Sequence, residues 1–225
     1  RKLAHEIKNP LTPIQLTIDR LKGKYHNFDN SVEKDQFDNH LKTINKQIKQ
    51  IESLVNEFSD FARMPKPIFQ KNNLIQILKN NITLLNELDT DIKISFFKKK
   101  DIIELDCDGD QLNRVFLNII KNSIESIQEK ALKNGNFDKI INIVIKTNSD
   151  YIKVIINDNG TGFGDDTIKN IAKPYYTTKN KGSGLGLSIV SKIINDHNGS
   201  IYFKNQKNGA IVQINLPFNR WKLKY

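Results

Sequence analysis

Residues 140–164 read Ile140-Ile141-Asn142-Ile143-Val144-Ile145-Lys146-Thr147, then Asn148-Ser149-Asp150, then Tyr151-Ile152-Lys153-Val154-Ile155-Ile156-Asn157, then Asp158-Asn159-Gly160-Thr161-Gly162-Phe163-Gly164. Two β-branched runs separated by a polar turn predict a hairpin over Ile140–Thr147 and Tyr151–Asn157. A carboxylate at the strand end, followed at once by glycines, can accept from an exocyclic amine while the backbone passes close to a ring. This stretch makes the second half of the chain a sheet protein with a candidate binding loop at a strand end.

Outward from it, strands are expected at Lys93–Phe97, Ile103–Asp106, Ser200–Lys204 and Ala210–Leu216, the last two joined by Lys207-Asn208-Gly209. Helices are expected at Asn73–Leu88, at Asp110–Leu132 with Asp108 as cap, and at Leu185–His197, closed by Asn198-Gly199. Strands and helices without strict alternation argue an α+β sandwich. Upstream, Pro65 and Pro67 break the chain. Before that break the pattern is helical. Ala4, Ile7, Leu11, Ile14, Ile18 and Leu21 step by three and four, and so do Phe37, Leu41, Ile44, Ile48, Ile51, Val55, Phe58 and Ala62. This is a heptad seam. Two helices joined around Gly23 to Ser31 make a hairpin that buries too little alone, so it should dimerise into a four-helix bundle. The expected domains are 1–65 and 66–225.

Composition narrows the function classes. One cysteine in 225 residues excludes a disulfide framework and a cysteine-based zinc site. No apolar run reaches the ~18–20 residues that span a bilayer. The chain opens on Arg1-Lys2 without a signal peptide and reads as a piece of a longer protein. The net charge of +10 suggests an anionic partner, but 30 of the 35 basic residues are Lys and 5 are Arg. Arg is the better bidentate reader of bases and phosphates, so direct nucleic-acid binding is not expected.

Three further constellations carry chemistry. In His5-Glu6-Ile7-Lys8-Asn9-Pro10-Leu11, His5 lies one residue off the seam, Glu6 is adjacent, and Asn9 follows one turn later on the same face. A carboxylate on one ring nitrogen raises the nucleophilicity of the other. His26, His40 and His197 lack such neighbours and read as ordinary histidines. Asn118 and Asn122 form an i, i+4 pair inside a long helix with Lys121 beside them. Asn is a poor interior helix residue, and amide oxygens suit Mg2+ with water and phosphates completing its shell. Finally, Thr177, Thr178, Lys179, Gly182, Ser183, Gly184, Leu185 and Gly186 lead into a helix whose free N–H groups can face a triphosphate. Neither the P-loop spacing nor the dinucleotide fingerprint is present.

In this order the four constellations resemble the sensor histidine kinases over essentially the whole chain. His5–Leu11 looks like the H box, Asn118–Asn122 the N box, Asp158–Gly162 the G1 box, Pro174–Thr178 the F-box region and Gly182–Gly186 the G2 box. The run from His5 to Leu21 is most similar to the NtrY-type nitrogen-regulation sensors. The resemblance implies a dimeric helical hairpin in residues 1–65 and a GHKL (Bergerat-type) ATP-binding sandwich in 66–225. His5 would be the phosphoacceptor, Glu6 its base, and Asn9 would position water for dephosphorylating the partner. Asn122 would hold Mg2+, with Asn118 and Lys121 near the phosphates of ATP. Asp158 would accept the adenine amine, Gly160 and Gly162 would allow close approach, and Gly182, Gly184 and Gly186 would hinge a lid. The partner would be the receiver domain of a response regulator. The parent would be a bacterial inner-membrane sensor anchored upstream, with this region in the cytoplasm.

Two departures stand out. The usual Phe-x-Pro-Phe element reads Ala172-Lys173-Pro174-Tyr175-Tyr176, and Ala210 stands where the family often has Thr, removing one hydrogen bond near the nucleotide. Competing readings are a catalytically silent docking bundle that binds ATP, and a gyrase- or chaperone-type ATPase on the same sandwich. The histidine on a heptad hairpin argues against the latter, and the intact phosphoacceptor and nucleotide residues argue against the former.

Overall fold

A computed structural model describes residues 11, 14–19, 21–22, 31–62, 64–88, 91–164, 168, 170–171, 176 and 184–218. The chain divides into two compact units, Arg1–Pro65 and Lys66–Tyr225. In the first, residues 11, 14–19 and 21–22 are helical, and α1 spans Ser31–Ala62. The seam splits in two. Ile18, Leu41 and Ile48 form a buried cluster with Leu11 and Phe37 packed against it. The residues half a heptad away stay exposed: Ile14 and Leu21 on the first helix, Ile44 and Ile51 on α1. Leu41 and Ile48 are 3% and 5% exposed, whereas Ile44 and Ile51 are 43% and 44%. A seam with 3.5-residue spacing has two sub-rows, and the chain buries one of them on itself.

The second unit begins with β1 (Gln70–Asn73), α2 (Leu74–Leu88), β2 (Lys93–Phe97), β3 (Glu104–Cys107) and α3 (Gly109–Asn134). It continues with β4 (Ile140–Thr147), β5 (Tyr151–Asp158), α4 (Gly186–Asp196), β6 (Ser200–Gln206) and β7 (Gly209–Pro217). The main sheet runs β2-β4-β5-β7-β6. Only β2 and β4 are parallel within it. Period-2 alternation sends Ile141, Ile143 and Ile145 of β4, Ile152, Val154 and Ile156 of β5, and Val212, Ile214 and Leu216 of β7 into the core. The helices answer with Leu112, Val115, Phe116, Ile119, Ile120 and Ile127 of α3, and Ile189, Val190, Ile193 and Ile194 of α4. Each such side chain contributes about 1.5–3 kcal/mol by leaving water. α3 packs against both α2 and α4 and over β5.

Both ends of α3 are held by chemistry. Asp108 has extended φ and ψ, and its carboxylate accepts from Gln111 N–H at 3.0 Å as an N-cap. The other Asp108 oxygen accepts from Ile68 N–H at 2.8 Å. Asp108 N–H donates to His197 Nε2 at 3.0 Å, and the other ring nitrogen of His197 lies 2.8 Å from Ile193 O. This pair of partners sets the tautomer: Nδ1 carries the proton and Nε2 accepts. His197 is thus a buried tie between the C-terminus of α4 and the N-terminus of α3, its ring tilted at 50° against Phe69 with centroids 5.0 Å apart. At the other end Gly135 closes α3 with φ 79°.

Among the described residues of the second unit the expected strands and helices are found, with one correction. Residues 70–73 form a strand, and α2 starts at Leu74 rather than at Asn73. Gln-Lys-Asn-Asn carries no strand pattern. Its conformation comes from pairing with β3, Gln70 opposite Cys107 and Asn73 opposite Glu104, and Asn73 Oδ1 then accepts from Ile75 N–H and Ile103 N–H.

The β6–β7 turn depends on Gly209, whose φ is 102° and whose missing Cβ would collide with Asp158 O and lie 2.7 Å from Asn159 Cα. Gly209→Ala is expected to cost about 3 kcal/mol or more from strain and overlap. The thermal midpoint of unfolding should fall by roughly 6–12 °C, which differential scanning calorimetry would read.

Candidate functional site

The site assembles around the C-terminal end of β5. Ile152, Val154 and Ile156 face the core, so period 2 carries Asp158 to the same face, where it is 4% exposed. A carboxylate there needs donors. Oδ1 accepts from Gly160 N–H at 3.0 Å, Oδ2 accepts from Ser123 Oγ–H at 3.1 Å, and Ala210 N–H also donates to the carboxylate. Burial pushes its pKa upward, and the Gly160, Ser123 and Ala210 donors and the Lys130 charge pull the other way without cancelling the rise. An ionised carboxylate offers about four acceptor positions. Three protein donors leave room for one ligand N–H.

The glycines expected for close approach serve two different neighbours. A Cβ on Gly160 would strike Ser126 Oγ and sit 2.7 Å from the Ser126 carbonyl carbon, so the loop and α3 touch backbone to backbone. Thr161 N–H then donates to Ser126 Oγ at 3.0 Å. Gly162 has φ 76°, and a Cβ there would lie 3.1 Å from Asn205 Oδ1.

Polar side chains bracket this loop. Asn205 Oδ1 accepts from Phe163 N–H at 2.7 Å and its Nδ2 donates to Phe163 O at 2.6 Å, as a strand partner would. Phe163 meets Phe203 edge to face. Gln206 Nε2 donates to Asn157 Oδ1 and to Asp158 O. Asn159 ties the turn to β4, accepting from Ile140 N–H and donating to Asp138 O. Lys130 Nζ donates to Asn159 O at 2.7 Å.

The predicted phosphate end lies further back along α3. Asn118 is half-buried, and its Nδ2 donates to Arg114 O at 2.8 Å. Its Oδ1 would lie 3.2 Å from a Cβ on Gly186, so this amide and the start of α4 adjoin. Asn122 is half-buried on the same helix face, and Lys121 is exposed. Leu185 is buried and anchors α4, Gly184 has φ 69°, and α4 has no side-chain N-cap. Its first N–H groups therefore need an acceptor from elsewhere. The structure thus joins Asp158 and Gly160 to α3, Gly162 to Asn205 and the β6–β7 turn, and Asn118 to Gly186, with Leu185 and Gly184 just before it. His5, Glu6, Asn9, Thr177, Thr178, Lys179, Gly182 and Ser183 lie outside the described residues, as do Ala172–Tyr175 of the altered aromatic element.

No group of three His, Cys, Asp or Glu that could hold a metal occurs among the described residues. A resident metal cage therefore does not fit. A Mg2+ ion that arrives with phosphates and takes an amide oxygen as protein ligand does fit the asparagine face of α3. Cys107 is fully buried, and burial pushes its thiol up to about 11, which removes it from the chemistry.

Sequence reasoning missed Ser123, Ser126, Asn159, Asn205 and Gln206. A signal existed for Ser126 but not for Ser123. Asn118, Asn122 and Ser126 recur at i, i+4 and i+8, a polar stripe of poor helix formers on an otherwise apolar helix. Asn205 and Gln206 had none, because their partners are distant loop carbonyls and amides.

Both units are similar to known protein families. Residues 107–220 match the family of histidine kinase-, DNA gyrase B- and HSP90-like ATPases. Residues 1–67 match the His Kinase A (phospho-acceptor) domain. An NtrY-like sensor histidine kinase of Rickettsia prowazekii (strain Madrid E) is 37% identical over 225 residues, covering 100% of this chain and 36% of that protein. The chain thus spans about a third of the curated relatives it matches. Among solved structures, the histidine kinase ThkA in complex with the response regulator protein TrrA aligns with TM-score 0.69 at 25% identity, over 98% of this chain and 61% of that one. Full-length ShkA in complex with AMPPNP shares the fold at TM-score 0.74 and 18% identity, over 96% of this chain and 45% of that one.

The raised pKa of Asp158 has a consequence for stability. Its protonated form is the one the fold favours. Its stabilising contribution is therefore present below the ordinary carboxylate range and is lost as pH rises through the shifted value. Asp158→Asn, neutral at every pH, should match or exceed wild-type stability at pH 7.5 without ligand. That advantage should shrink as pH falls toward 4. Urea midpoints of both proteins across this range test it, and an advantage that grows on acidification would contradict it.

Proposed function

Because this chain belongs to the sensor histidine kinases, we propose that it binds ATP at the Asp158 loop, phosphorylates its own His5, and passes the phosphoryl group to an aspartate of a response-regulator receiver domain. The observation that carries this reading is the buried Asp158 carboxylate, bonded to Ser123 of α3 and left with one open acceptor position, together with Asn118 of the same helix adjoining the uncapped start of α4. The adenine amine fills that acceptor position. The phosphates extend toward Asn118, Asn122, Lys121 and the α4 N–H groups, and the loop of Thr177, Thr178, Lys179, Gly182 and Ser183 closes over them. Asn122 and water would hold Mg2+, which would neutralise the phosphate charge.

A ring nitrogen of His5 attacks the γ-phosphorus. The P–N bond forms as the bond to the leaving ADP oxygen breaks, and Glu6 takes the ring proton. In the second step a receiver carboxylate attacks the same phosphorus, the P–N bond breaks and His5 is regenerated. Asn9, four residues after His5 in the sequence, orients water on the receiver acyl phosphate and so supports dephosphorylation. The response regulator in complex with ThkA supports this class of partner. The whole protein is anchored at the bacterial inner membrane with this region in the cytoplasm. Among the described residues no helix is long and apolar enough to cross a membrane.

The exposed sub-row of the seam supports a homodimer through residues 1–65. Ile14, Leu21, Ile44 and Ile51 of one hairpin meet those of a second, completing a four-helix bundle.

Three measurements test this reading. With γ-labelled ATP and Mg2+, wild type should acquire an acid-labile label and His5→Ala none, while still binding ATP. Asn9→Ala should label normally yet fail to speed decay of a phosphorylated receiver. Equal labelling of wild type and His5→Ala would overturn the assignment. By sedimentation, Ile44→Glu combined with Ile51→Glu should shift the chain from dimer to monomer with its helical content retained in the second unit.

A further inference from the structure

Asp158 sits opposite Ala210 in the sheet. The β5–β7 register pairs Asn157 with Ile211, and one step further brings 158 beside 210 on the buried face. Both side chains are buried, Asp158 at 4% and Ala210 at 3% exposure. Facing cross-strand positions put Cβ atoms about 4.5–5.5 Å apart, so a hydroxyl at 210 would lie within reach of the carboxylate. Ala210 offers only its backbone N–H. The side-chain hydroxyl comes instead from the opposite layer, where Ser123 on α3 donates to Asp158 Oδ2 at 3.1 Å and is itself 4% exposed.

Oδ1 is held by Gly160 N–H. Without Ser123 the carboxylate would keep only the Gly160 and Ala210 backbone donors and no donor from the α3 side, and the open acceptor position would lose its direction. We propose that Ser123 is a positioning residue for base recognition, its hydroxyl aiming Asp158 at an exocyclic amine and standing in for a hydroxyl absent at position 210. This rests on the nucleotide reading given above. Ser123 touches the ligand only through Asp158. It should therefore matter for ligands that carry the amine and leave phosphate and ribose binding untouched. A packing role would weaken all nucleotides alike.

The experiment compares ADP with purine riboside 5′-diphosphate, the same ligand without the 6-amine, by isothermal titration calorimetry on the 225-residue chain. Wild type should prefer ADP. Ser123→Ala should lose about tenfold in ADP affinity, the scale of a hydrogen bond to a charged group, and less than about twofold for the analogue. Adding Ala210→Ser to Ser123→Ala should return the ADP preference to within about threefold of wild type, because the hydroxyl is restored from β7. Thermal melts check that each variant is folded. If wild type binds ADP but Ser123→Ala keeps the full preference, or weakens both ligands equally, the role of Ser123 is overturned while nucleotide binding stands. A double variant that stays as unselective as Ser123→Ala overturns the equivalence of the two positions. If wild type binds neither ligand, the nucleotide reading itself fails.

Discussion

A carboxylate placed in the buried row of a β-sheet constrains everything within reach of it. Asp158 follows Ile152, Val154 and Ile156 on the core face of β5, where an unpaired charge would cost several kcal/mol. Three donors from three elements meet it: Gly160 from its own loop, Ser123 from α3, and Ala210 from β7. That convergence requires α3 and the β6–β7 turn to approach the loop at backbone distance. Gly160 against Ser126 and Gly209 against Asp158 and Asn159 are glycines for this reason. The brackets formed by Asn159, Asn205 and Gln206 follow from the same need, because a loop stripped of side chains has to be held by someone else's.

α3 links this constraint to the rest of the second unit. Its apolar side supplies much of the core, from Leu112 through Phe116 to Ile127. Its polar stripe runs from Asn118, next to Gly186, through Asn122 to Ser126, which meets Gly160 and Thr161. A helix divided this way cannot rotate or slide without exposing one face and burying the other. Its N-terminus is fixed accordingly, by the Asp108 cap, the Ile68 contact and the buried His197 of α4. His197 shows how an isolated histidine can be structural: each ring nitrogen has one backbone partner, and together they select a single neutral tautomer.

The first unit obeys a different rule. Its seam is long enough for two contacts and the chain uses one. Leu11, Ile18, Leu41 and Ile48 pack within the hairpin, and Ile14, Leu21, Ile44 and Ile51 remain exposed half a heptad away. An apolar row repeated at seven residues on both helices is more regular than scattered surface hydrophobics require. The exposed row thus follows the same periodicity that makes the hairpin.

Much of this was legible without coordinates, because it depends on residues close in sequence. Periodicity marked the heptad seam, the Ile140–Asn157 hairpin and the long helix after Asp108. Local backbone chemistry marked the cap at Asp108 and the turn at Asn148, whose side chain accepts from Asp150 N–H and Tyr151 N–H. The asparagine pair and the glycine loop were visible as residues ill suited to their elements. What tertiary structure alone decided involves partners far apart in the chain. The strand at 70–73 exists because β3 pairs with it. Ser123 matters because Asp158 lies 35 residues away and 3.1 Å distant. Asn205 matters because Phe163 offers it a bare amide and carbonyl across 42 residues. Which half of the seam is used within the chain was equally hidden, since both sub-rows have the same spacing and hydrophobicity and only packing tells them apart. Sequence periodicity reports which face of an element is apolar; only folding reports which neighbour meets it.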